Sequence, residues 1–484
     1  MQRSRRAVSL GFCLLVMAAP AAAGEAEKSL PVFRAGAASS NVTPPLGLPI
    51  VGGFTPQPAT HIHDELHAKC LVLDDSQTRL ALVIVDNIGM SREVTEAATM
   101  IIQEKTGIPP DNVLIAGTHT HSSVSARGDN RLVRDSVLSD YQSFLVMRIA
   151  DGVRRAVNNL EPARIGWGGA HEPTQVFNRR YLMKPGTATP NPFGGQDQAV
   201  MNPGQGNPNI LKAAGPTDPE IAFLSVQAAD GRPIALVANY SLHYVGPNAG
   251  LVISADYFGV FGDRLQQLLG ADRLDPPFVG IMSNGTSADI NNINWPQKPD
   301  RTWKPYEKMR HVADVVAQKV HEAHGQIQFH PWVKLAAVKQ ELTLSVRKPT
   351  EEQLAYARMV LAKPEDEKPY HTLERAYAQR VLKQHESPDE VSVTLQAVRI
   401  GDLGICTLPF EVFVEIGLEL KGKSPMGQTF TISHANGNYG YLPTVDQHAL
   451  GGYETWLGTN MVEVQAAPRL LERLLAMLGE LSKL

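Results

Sequence analysis

Hydrophobic and polar positions follow two patterns in the first third of the chain. Short apolar runs bounded by turn residues, "LALVIVDNIGM" (80–90) and "NVLIAGTH" (112–119), predict buried strands. Between them, apolar residues at helical spacing predict a helix that is capped by Ser91 and ends near Lys105. A longer amphipathic helix is predicted over residues 141–160. This alternation of strands and helices indicates an α/β fold of mixed β-sheets with packed helices.

The same patterns continue through the rest of the chain. The runs "EIAFLSVQ" (220–227) and "IALVANYSLH" (234–243) on either side of an Asp-Gly turn predict a β-hairpin. Residues 181–219 are rich in Gly, Pro, Asn and Gln, which predicts a long loop. A charged helical region over 351–385 predicts a lid or a surface hairpin. A strand-like run then begins near residue 390 and leads to Glu411, and a last helix is predicted over residues 462–481.

The first residues have the pattern of a secretory signal peptide. Three arginines precede an apolar run over residues 8–17 that is too short to span a bilayer, and small residues follow it. We therefore predict a signal peptide over residues 1–23, with cleavage after Ala23. No later apolar run is long enough to span a membrane. The mature protein is expected to be exported, either secreted or periplasmic.

Charge and cysteine content narrow the partners of the mature chain. Loss of the three arginines with the signal peptide moves the formal net charge from −4 to −7, and no Lys/Arg-rich run is present. Nucleic acid is therefore not an expected partner. Cys70 and Cys406 remain after cleavage, both in strand-like apolar context. Two buried free thiols are favoured, and a single disulfide stays open for an oxidising compartment.

Candidate metal ligands follow three of the strand-like runs. His119 and His121 are two positions apart in "GTHTHSS", and on extended backbone both side chains would point to one side. His243 and Glu411 end two other runs. Imidazole nitrogens and a carboxylate suit zinc, and an open coordination position would make the site catalytic. The alternative interpretation of the pair is a partly buried polar strand end.

A second motif of the same kind competes with this one. "HIHDELH" contains His61 and His63, with His67 four positions after the second of them. Because the chain has 15 histidines, an H-x-H pattern can arise by chance, and either motif alone is more often structural than metal-binding.

The surrounding sequence separates the two motifs. The segments "NVLIAGTHTHS", "DPEIAFLSVQAADGRPI", "IALVANYSLH", "ISADYFG", "LPFEVFVEIG" and "ANGNYGYLPT" closely resemble the N-terminal catalytic domain of the neutral, non-lysosomal ceramidase family. The resemblance extends from about Gly36 to near Trp456. It implies a single large zinc hydrolase domain over residues 30–484.

The resemblance also implies roles for individual residues. By matching motif, the zinc ligands would be His119, His121, His243, Glu411 and Tyr441. Tyr453, in "GGYET", matches a family tyrosine near the substrate carbonyl, and Arg179, in "FNRR", matches an Asn-Arg pair that lines the family's pocket. Zinc would polarise the carbonyl and lower the pKa of water towards about 7, while a phenol would donate to the developing oxyanion.

Two departures from the family pattern affect the expected chemistry. The family carries a serine near the zinc that is often assigned as the nucleophile, but here "SNGTSADINNINW" places Asn291 at that position when Asp289 is aligned. Ser287 is on the other side of Asp289. Attack by zinc-activated water, with Asp289 or Glu411 as proton acceptor, is therefore expected. The family's extra C-terminal immunoglobulin-like domain has no room after the last predicted helix.

Together these observations predict an exported zinc-dependent hydrolase that cleaves an amide (N-acyl) or related bond of a small-molecule or lipid-like substrate. Both departures weaken ceramide as the substrate, and the loop over residues 181–198 is polar. One alternative is a zinc enzyme that acts on a carbohydrate or another polar substrate. Another is a zinc-holding binding protein that lost catalysis together with the serine.

Overall fold

The computed structural model describes residues 7–9, 11, 31–53, 55–128, 130–247, 250–364 and 366–484. Residues Val32–Leu484 form one compact unit. The predicted signal peptide and its cleavage point lie almost wholly outside the described residues. No helix in these ranges is both long enough and apolar enough to cross a membrane.

The helices in the described part of the chain have the following bounds: α1 Arg92–Thr106, α2 Asp140–Asn158, α3 Asp256–Leu268, α4 Glu307–His324, α5 Glu351–Ala362, α6 Glu374–His385, α7 Val414–Lys423, α8 Val445–Leu450 and α9 Ala466–Ser482.

The strands have the following bounds: β1 Arg34–Asn41, β2 Pro49–Val51, β3 Gln57–Pro58, β4 His61–Ile62, β5 His67–Asp74, β6 Arg79–Val85, β7 Val113–Gly117, β8 Ser123–Val124, β9 Glu161–His171, β10 Phe177–Asn178, β11 Arg180–Met183, β12 Ala199–Met201, β13 Ile210–Ala213, β14 Glu220–Ala228, β15 Pro233–Tyr240, β16 Val252–Ile253, β17 Val279–Asn284, β18 Ile290–Asn291, β19 Leu335–Ser345, β20 Glu390–Ile400, β21 Leu403–Thr407, β22 Glu411–Val412, β23 Gln428–Ile432 and β24 Tyr441–Leu442.

Two sheets face each other at the centre of the fold. One has eight strands in the order β17-β15-β14-β9-β1-β5-β6-β7, and the other has four in the order β19-β20-β21-β23. Leu71 and Leu224 of the large sheet lie in the same buried cluster as Val398 and Phe430 of the small one. Burial of these inner faces removes apolar surface from water and holds the two sheets together.

Helices cover the outer face of each sheet, because the side chains of a strand alternate between faces. Cys70 and Val72 of β5 point away from the other sheet and pack with α1 and α2. Residues of β14 and β15 pack in the same way against α3 and α4. The outer face of the small sheet packs against α9. The result is a four-layer arrangement, helix–sheet–sheet–helix, which confirms the mixed α/β prediction.

Curvature of the large sheet positions the site. Strands β6 and β7 are parallel at one edge, and β15 and β17 are parallel at the other. Although β7 and β17 are the two edges in strand order, they contact each other. The chain segments that follow β7, β15 and β17 therefore meet at one end of the curved sheet.

Most of the predicted elements are present. Ser91 caps α1, the hairpin β14–β15 is antiparallel, and residues 351–385 form the paired helices α5 and α6. Cys70 and Cys406 are buried free thiols, as favoured. The predicted loop 181–219 was too simple an interpretation, because β11, β12 and β13 form a small sheet there. Its polar composition hid short strands that are stabilised by pairing with each other rather than by an apolar face.

Candidate metal centre and its cavity

His119 is placed by a sharp turn after β7. The strand ends at Gly117, and His119 has a left-handed backbone with φ of 69°. His119 and His121 do point to one side, as expected, but the extended backbone that we gave as the reason was wrong at His119. The turn is held because the His119 backbone N–H donates to the Asn87 carbonyl at 2.9 Å. His119 Nδ1 lies 2.7 Å from the carbonyl oxygen of Ile88, which can only accept. Nδ1 must carry the proton, so Nε2 presents a lone pair.

His243 is oriented by the same kind of contact. Its Nδ1 lies 2.9 Å from the carbonyl oxygen of Ser287, which follows β17. The proton is again on Nδ1, and Nε2 is buried with no hydrogen-bond partner. A carbonyl behind a histidine fixes the tautomer and the ring orientation of metal-binding imidazoles in general.

Glu411 lies beside the His119 imidazole. It lies in β22, which pairs in parallel with β24 so that Glu411 is opposite Tyr441. Its Oε2 is 3.6 Å from His119 Nε2 and is buried with no hydrogen-bond partner. Two atoms that both present lone pairs repel each other unless a proton or a cation lies between them. This donor set therefore fits a metal ion such as zinc.

His121 adds a third nitrogen to the group. Its Nε2 is 3.1 Å from His119 Nε2, and its ring stacks on Tyr244 with centroids 3.8 Å apart. One ligand atom from each of His119, His121 and His243 lies within 4.8 Å of the others. These three histidines are thus close enough together to hold one ion.

The three imidazoles are suited to metal binding because burial keeps them neutral. Burial lowers the pKa of His119 to about 4, and the charge of Glu411 opposes this shift only in part. Burial also lowers the pKa of His121 and of His243 well below the usual range. Neutral imidazole is the form that donates a lone pair to a metal.

Arg179 and Tyr441 lie beside this group. Arg179 Nη2 donates to the Tyr441 hydroxyl at 3.1 Å, and its Nε donates to Glu454 at 2.9 Å. Glu454 is fully buried and also forms an ion pair with Arg180 at 2.7 Å. Burial raises the pKa of Tyr441 well above its usual value, and the nearby Glu411 charge adds to that shift. The Glu454 carboxylate thus holds both arginines in place.

Tyr453 lies on the same wall. Its ring is edge-on to that of Tyr441, with centroids 5.7 Å apart. Burial raises its pKa, with a further contribution from Glu411, so the hydroxyl keeps its proton at neutral pH. It can therefore donate a hydrogen bond to a substrate oxygen.

A cavity of about 790 Å³ opens over these residues. His119, His121, Arg179, Glu411, Tyr441 and Tyr453 all line it. A volume of this size accommodates a small organic ligand. The structure thus brings most of the residues singled out in the sequence to one cavity.

Asp289 and Asn291 are not among the described residues that line the cavity. Asp289 is fully buried, and its two carboxylate oxygens accept from the Val414 backbone N–H and the Asn178 side chain, each at 2.9 Å. Burial raises its pKa to about 7. Asn291 donates to Asn202, a cavity residue, at 3.1 Å. Both therefore support the cavity from behind.

The histidines of the competing motif do not converge. Both ring nitrogens of His61 lie near hydroxyls, those of Thr60 at 3.2 Å and Tyr306 at 3.3 Å. His63 stacks on Tyr306 with centroids 3.7 Å apart. His67 Nε2 lies 3.8 Å from Glu65 on the surface. Their nitrogens are used individually, by neighbours close to each.

Sequence reasoning missed several residues around the centre. His434 stacks on His119 with centroids 4.0 Å apart, and Tyr244 stacks on His121. Glu454 organises Arg179. Tyr244 and Glu454 are direct neighbours of His243 and Tyr453 in sequence, which was a usable signal. The sequence around His434, "ISHANGNYG", contained no comparable signal.

Comparison with known proteins agrees with this architecture. A structure of the neutral ceramidase from Pseudomonas aeruginosa matches with a TM-score of 0.67 at 17% identity, over 94% of this chain and 75% of that one. A structure of a ceramidase complexed with C2 matches with a TM-score of 0.69 at 17% identity, over 94% of this chain and 76% of that one. The family model described as neutral/alkaline non-lysosomal ceramidase, N-terminal, matches residues 33–298. This chain therefore belongs to the neutral/alkaline non-lysosomal ceramidase family.

Proposed function

We propose that this protein is an exported, zinc-dependent hydrolase that cleaves an amide (N-acyl) or related bond with water as the nucleophile. The observation that carries the proposal is the cluster of His119, His121 and His243, with Glu411 Oε2 3.6 Å from His119 Nε2 and Nε2 of His243 buried. Two of these atoms are buried with no hydrogen-bond partner. His121 and the phenol oxygen of Tyr441 would complete the ligand set.

Zinc held there supplies a Lewis acid for the scissile carbonyl and makes water nucleophilic near neutral pH. The chain's own residues supply the remaining steps. Tyr453, which is protonated at neutral pH, donates to the carbonyl oxygen as it gains negative charge. Glu411 accepts the proton of the attacking water, because both oxygens of Asp289 are already occupied. Arg179 orients the Tyr441 hydroxyl.

Water is preferred to a serine nucleophile for a geometric reason. The Ser287 hydroxyl is buried and donates to Asn284 Oδ1 at 2.9 Å, while its carbonyl orients His243. Ser287 is not among the described residues that line the cavity. A carboxamide at position 291 is no nucleophile. No acyl-enzyme is therefore expected.

The test is metal analysis coupled to a screen of N-acyl and glycan substrates. We expect one zinc per chain, hydrolysis of an N-acyl substrate, loss of turnover with a chelator and recovery with zinc. Intact-mass measurement during turnover should show no acyl adduct. Turnover that is insensitive to chelation, or an adduct on Ser287, would contradict the proposal. Hydrolysis of glycans alone would support the carbohydrate alternative. Stoichiometric zinc without any turnover would support the binding-protein alternative.

A further inference from the structure

The cavity above the metal centre has an unbalanced charge. Five basic side chains line it, and Glu411 is the single acid among the described lining residues. The basic residues are Arg127, Arg131, Arg179, Arg380 and Lys383. Arg179 forms an ion pair with Glu454, which it shares with Arg180, so Arg127, Arg131 and Arg380 are the cavity arginines considered further.

The arginines between β8 and α2 differ in whether a nearby acid compensates their charge. The exposed Arg134 forms ion pairs with Glu96 at 3.0 Å and Glu93 at 3.9 Å. The half-buried Arg127 and Arg131 have no ion pair with any acid in the described part of the chain. Among the described residues, the surface arginine is thus in ion pairs with acids, whereas Arg127 and Arg131 are not.

Among the described residues, Glu411 is the acid whose charge favours the charged forms of Arg127 and Arg131, and it is shared between them. Burial, together with the nearby Arg131, lowers the pKa of Arg127 to about 9. Burial also lowers the pKa of Arg131. Like charges in a partly desolvated space repel each other, so their retention beside an open cavity is unfavourable unless a ligand neutralises them.

These cations are next to the metal centre rather than at a distant rim. A β-carbon at Gly440 would lie 3.6 Å from Arg131 Nη1, and Gly440 precedes Tyr441 in the chain. A β-carbon at Gly89 would lie 3.4 Å from Arg127 Cδ, and Gly89 follows Ile88, whose carbonyl orients His119. A group held by these arginines would lie close to a carbonyl at the metal.

Helix α6 supplies basic residues to the opposite side of the cavity. Arg380 and Lys383 lie on consecutive turns of α6, and Gln384 and Ser387 line the cavity beside them. The Arg380 guanidinium lies 4.8 Å from the centroid of the Tyr377 ring, which holds it without neutralising it. Two separate elements therefore direct positive charge into one space.

Resting on the proposed amide hydrolysis, we propose that the substrate is an N-acyl compound carrying an anionic group, which Arg127, Arg131 and Arg380 bind while the amide faces the metal centre. The recognised chemistry is a carboxylate, sulfonate or phosphate near the scissile bond. Arginine matches such groups because its planar fork donates two parallel hydrogen bonds. A neutral amino-alcohol amide would leave these cations uncompensated.

The test uses size-matched substrates and matched variants of the zinc-loaded protein. N-decanoylglycine, N-decanoyltaurine and N-decanoylphosphoethanolamine each carry an anion, and N-decanoylethanolamine does not. We expect kcat/KM to be at least about tenfold higher for the best anionic substrate than for the neutral one. Comparison among the three identifies which anion is preferred.

Arg131→Gln should lower the anionic-to-neutral ratio of kcat/KM by about 10-fold to 100-fold, the range expected for one charged hydrogen bond. Arg134→Gln removes the same charge three residues away and should leave the ratio unchanged. Arg380→Gln, on a separate helix, provides a second variant if Arg131→Gln fails to fold. Equal rates for anionic and neutral substrates, or an unchanged ratio in both cavity variants, would overturn the proposal.

A binding measurement separates this inference from the proposed hydrolysis. If no N-acyl compound is cleaved, calorimetric titration of N-decanoylglycine into wild type and Arg131→Gln still tests the anion site. Binding that weakens at least about tenfold in the variant would support the site while the hydrolysis proposal fails. Absence of binding, or equal affinity in both proteins, would overturn the anion site itself.

Discussion

Two H-x-H segments of this chain have nearly the same residue types and different surroundings. In "GTHTHSS", the Ile88 carbonyl holds Nδ1 of His119, whose Nε2 lies 3.6 Å from Glu411 Oε2. The Ser287 carbonyl holds Nδ1 of His243 in the same way, from another part of the chain. In "HIHDELH", hydroxyls lie near both ring nitrogens of His61, and Tyr306 stacks on His63. A metal centre therefore depends on what holds the far side of each ring, more than on the spacing of the histidines.

Replacing single histidines of the candidate metal centre, and comparing them with histidines of "HIHDELH", gives the largest expected difference. His119→Ala or His243→Ala should lose stoichiometric zinc and lower turnover by about 10³-fold or more, because the metal contributes several kcal/mol to catalysis. Elemental analysis and steady-state kinetics measure both effects. His61→Ala and His63→Ala are the matched controls and should keep both zinc and turnover. Zinc that is lost from the controls but kept in the first pair would reverse the comparison.

The aromatic residues of the two segments offer a second contrast. Tyr453→Phe should keep zinc and lower kcat by about 10²-fold, the loss typical of one oxyanion donor. Tyr306→Phe removes the same hydroxyl beside His61 and should leave kcat unchanged. Equal kcat values for Tyr453→Phe and wild type would return Tyr453 to a packing role.

The loop behind His243 gives a smaller effect. Asp289→Asn leaves the Asn178 side chain or the Val414 N–H without its acceptor, which should lower the free energy of unfolding by about 1–3 kcal/mol. The Asp289 carbonyl accepts from the Arg179 backbone N–H at 2.7 Å, so a disturbed loop would displace Arg179. Turnover should then fall about tenfold, because small misplacement of positioning groups is costly. Urea unfolding and kcat/KM report the two effects.

Ser287→Ala is the control for that loop. It removes a hydroxyl but keeps the carbonyl that orients His243, so turnover should stay within a few-fold of wild type. A collapse of activity in this variant would revive the serine mechanism.

The smallest expected effect is on how the free energy of unfolding of the metal-free protein depends on pH. Because burial lowers the pKa of His119 to about 4 from 6.5, the unfolded chain binds more protons than the folded one between these values. The free energy of unfolding should reach its full value above about pH 6.5 and fall as the pH decreases towards 4. The fall should be at most about 1.4 kcal/mol per pH unit for each such histidine. Urea unfolding of chelated protein measures the slope. His119→Asn should reduce this slope by the share of one histidine, whereas His63→Asn should leave the slope as in wild type.

Sequence patterns predicted much of the fold because its elements have strong local signals. The cap at Ser91, the apolar runs of β6 and β14 and the helical spacing of α2 all act within a few residues. They predicted the right elements, but could not show that β7 and β17 approach through the curvature of the sheet. The cluster of His119, His243 and Glu411 depends on that curvature, and resemblance to a family supplied what periodicity could not.

Some details of the site were beyond any local pattern. The left-handed backbone of His119 has no clear signature in the sequence, since few residues other than glycine adopt positive φ and most histidines do not. The enclosure of Asp289 follows from Asn178 and Val414, which are remote in sequence. The basic side of the cavity joins residues near 130 with residues near 380, and only the folded chain brings them together.

The paired helices α5 and α6 have one more consequence. Leu354, Ala357, Val360, Ala378 and Val381 form a small apolar cluster of their own, separate from the clusters that bury the two sheets. His119 and His243 follow strands of the curved sheet, whereas Arg380 and Lys383 come from this helical pair. Because this cluster is separate from the buried core of the two sheets, side chains on the cavity side of α6 can be replaced with little effect on the packing that positions the histidines.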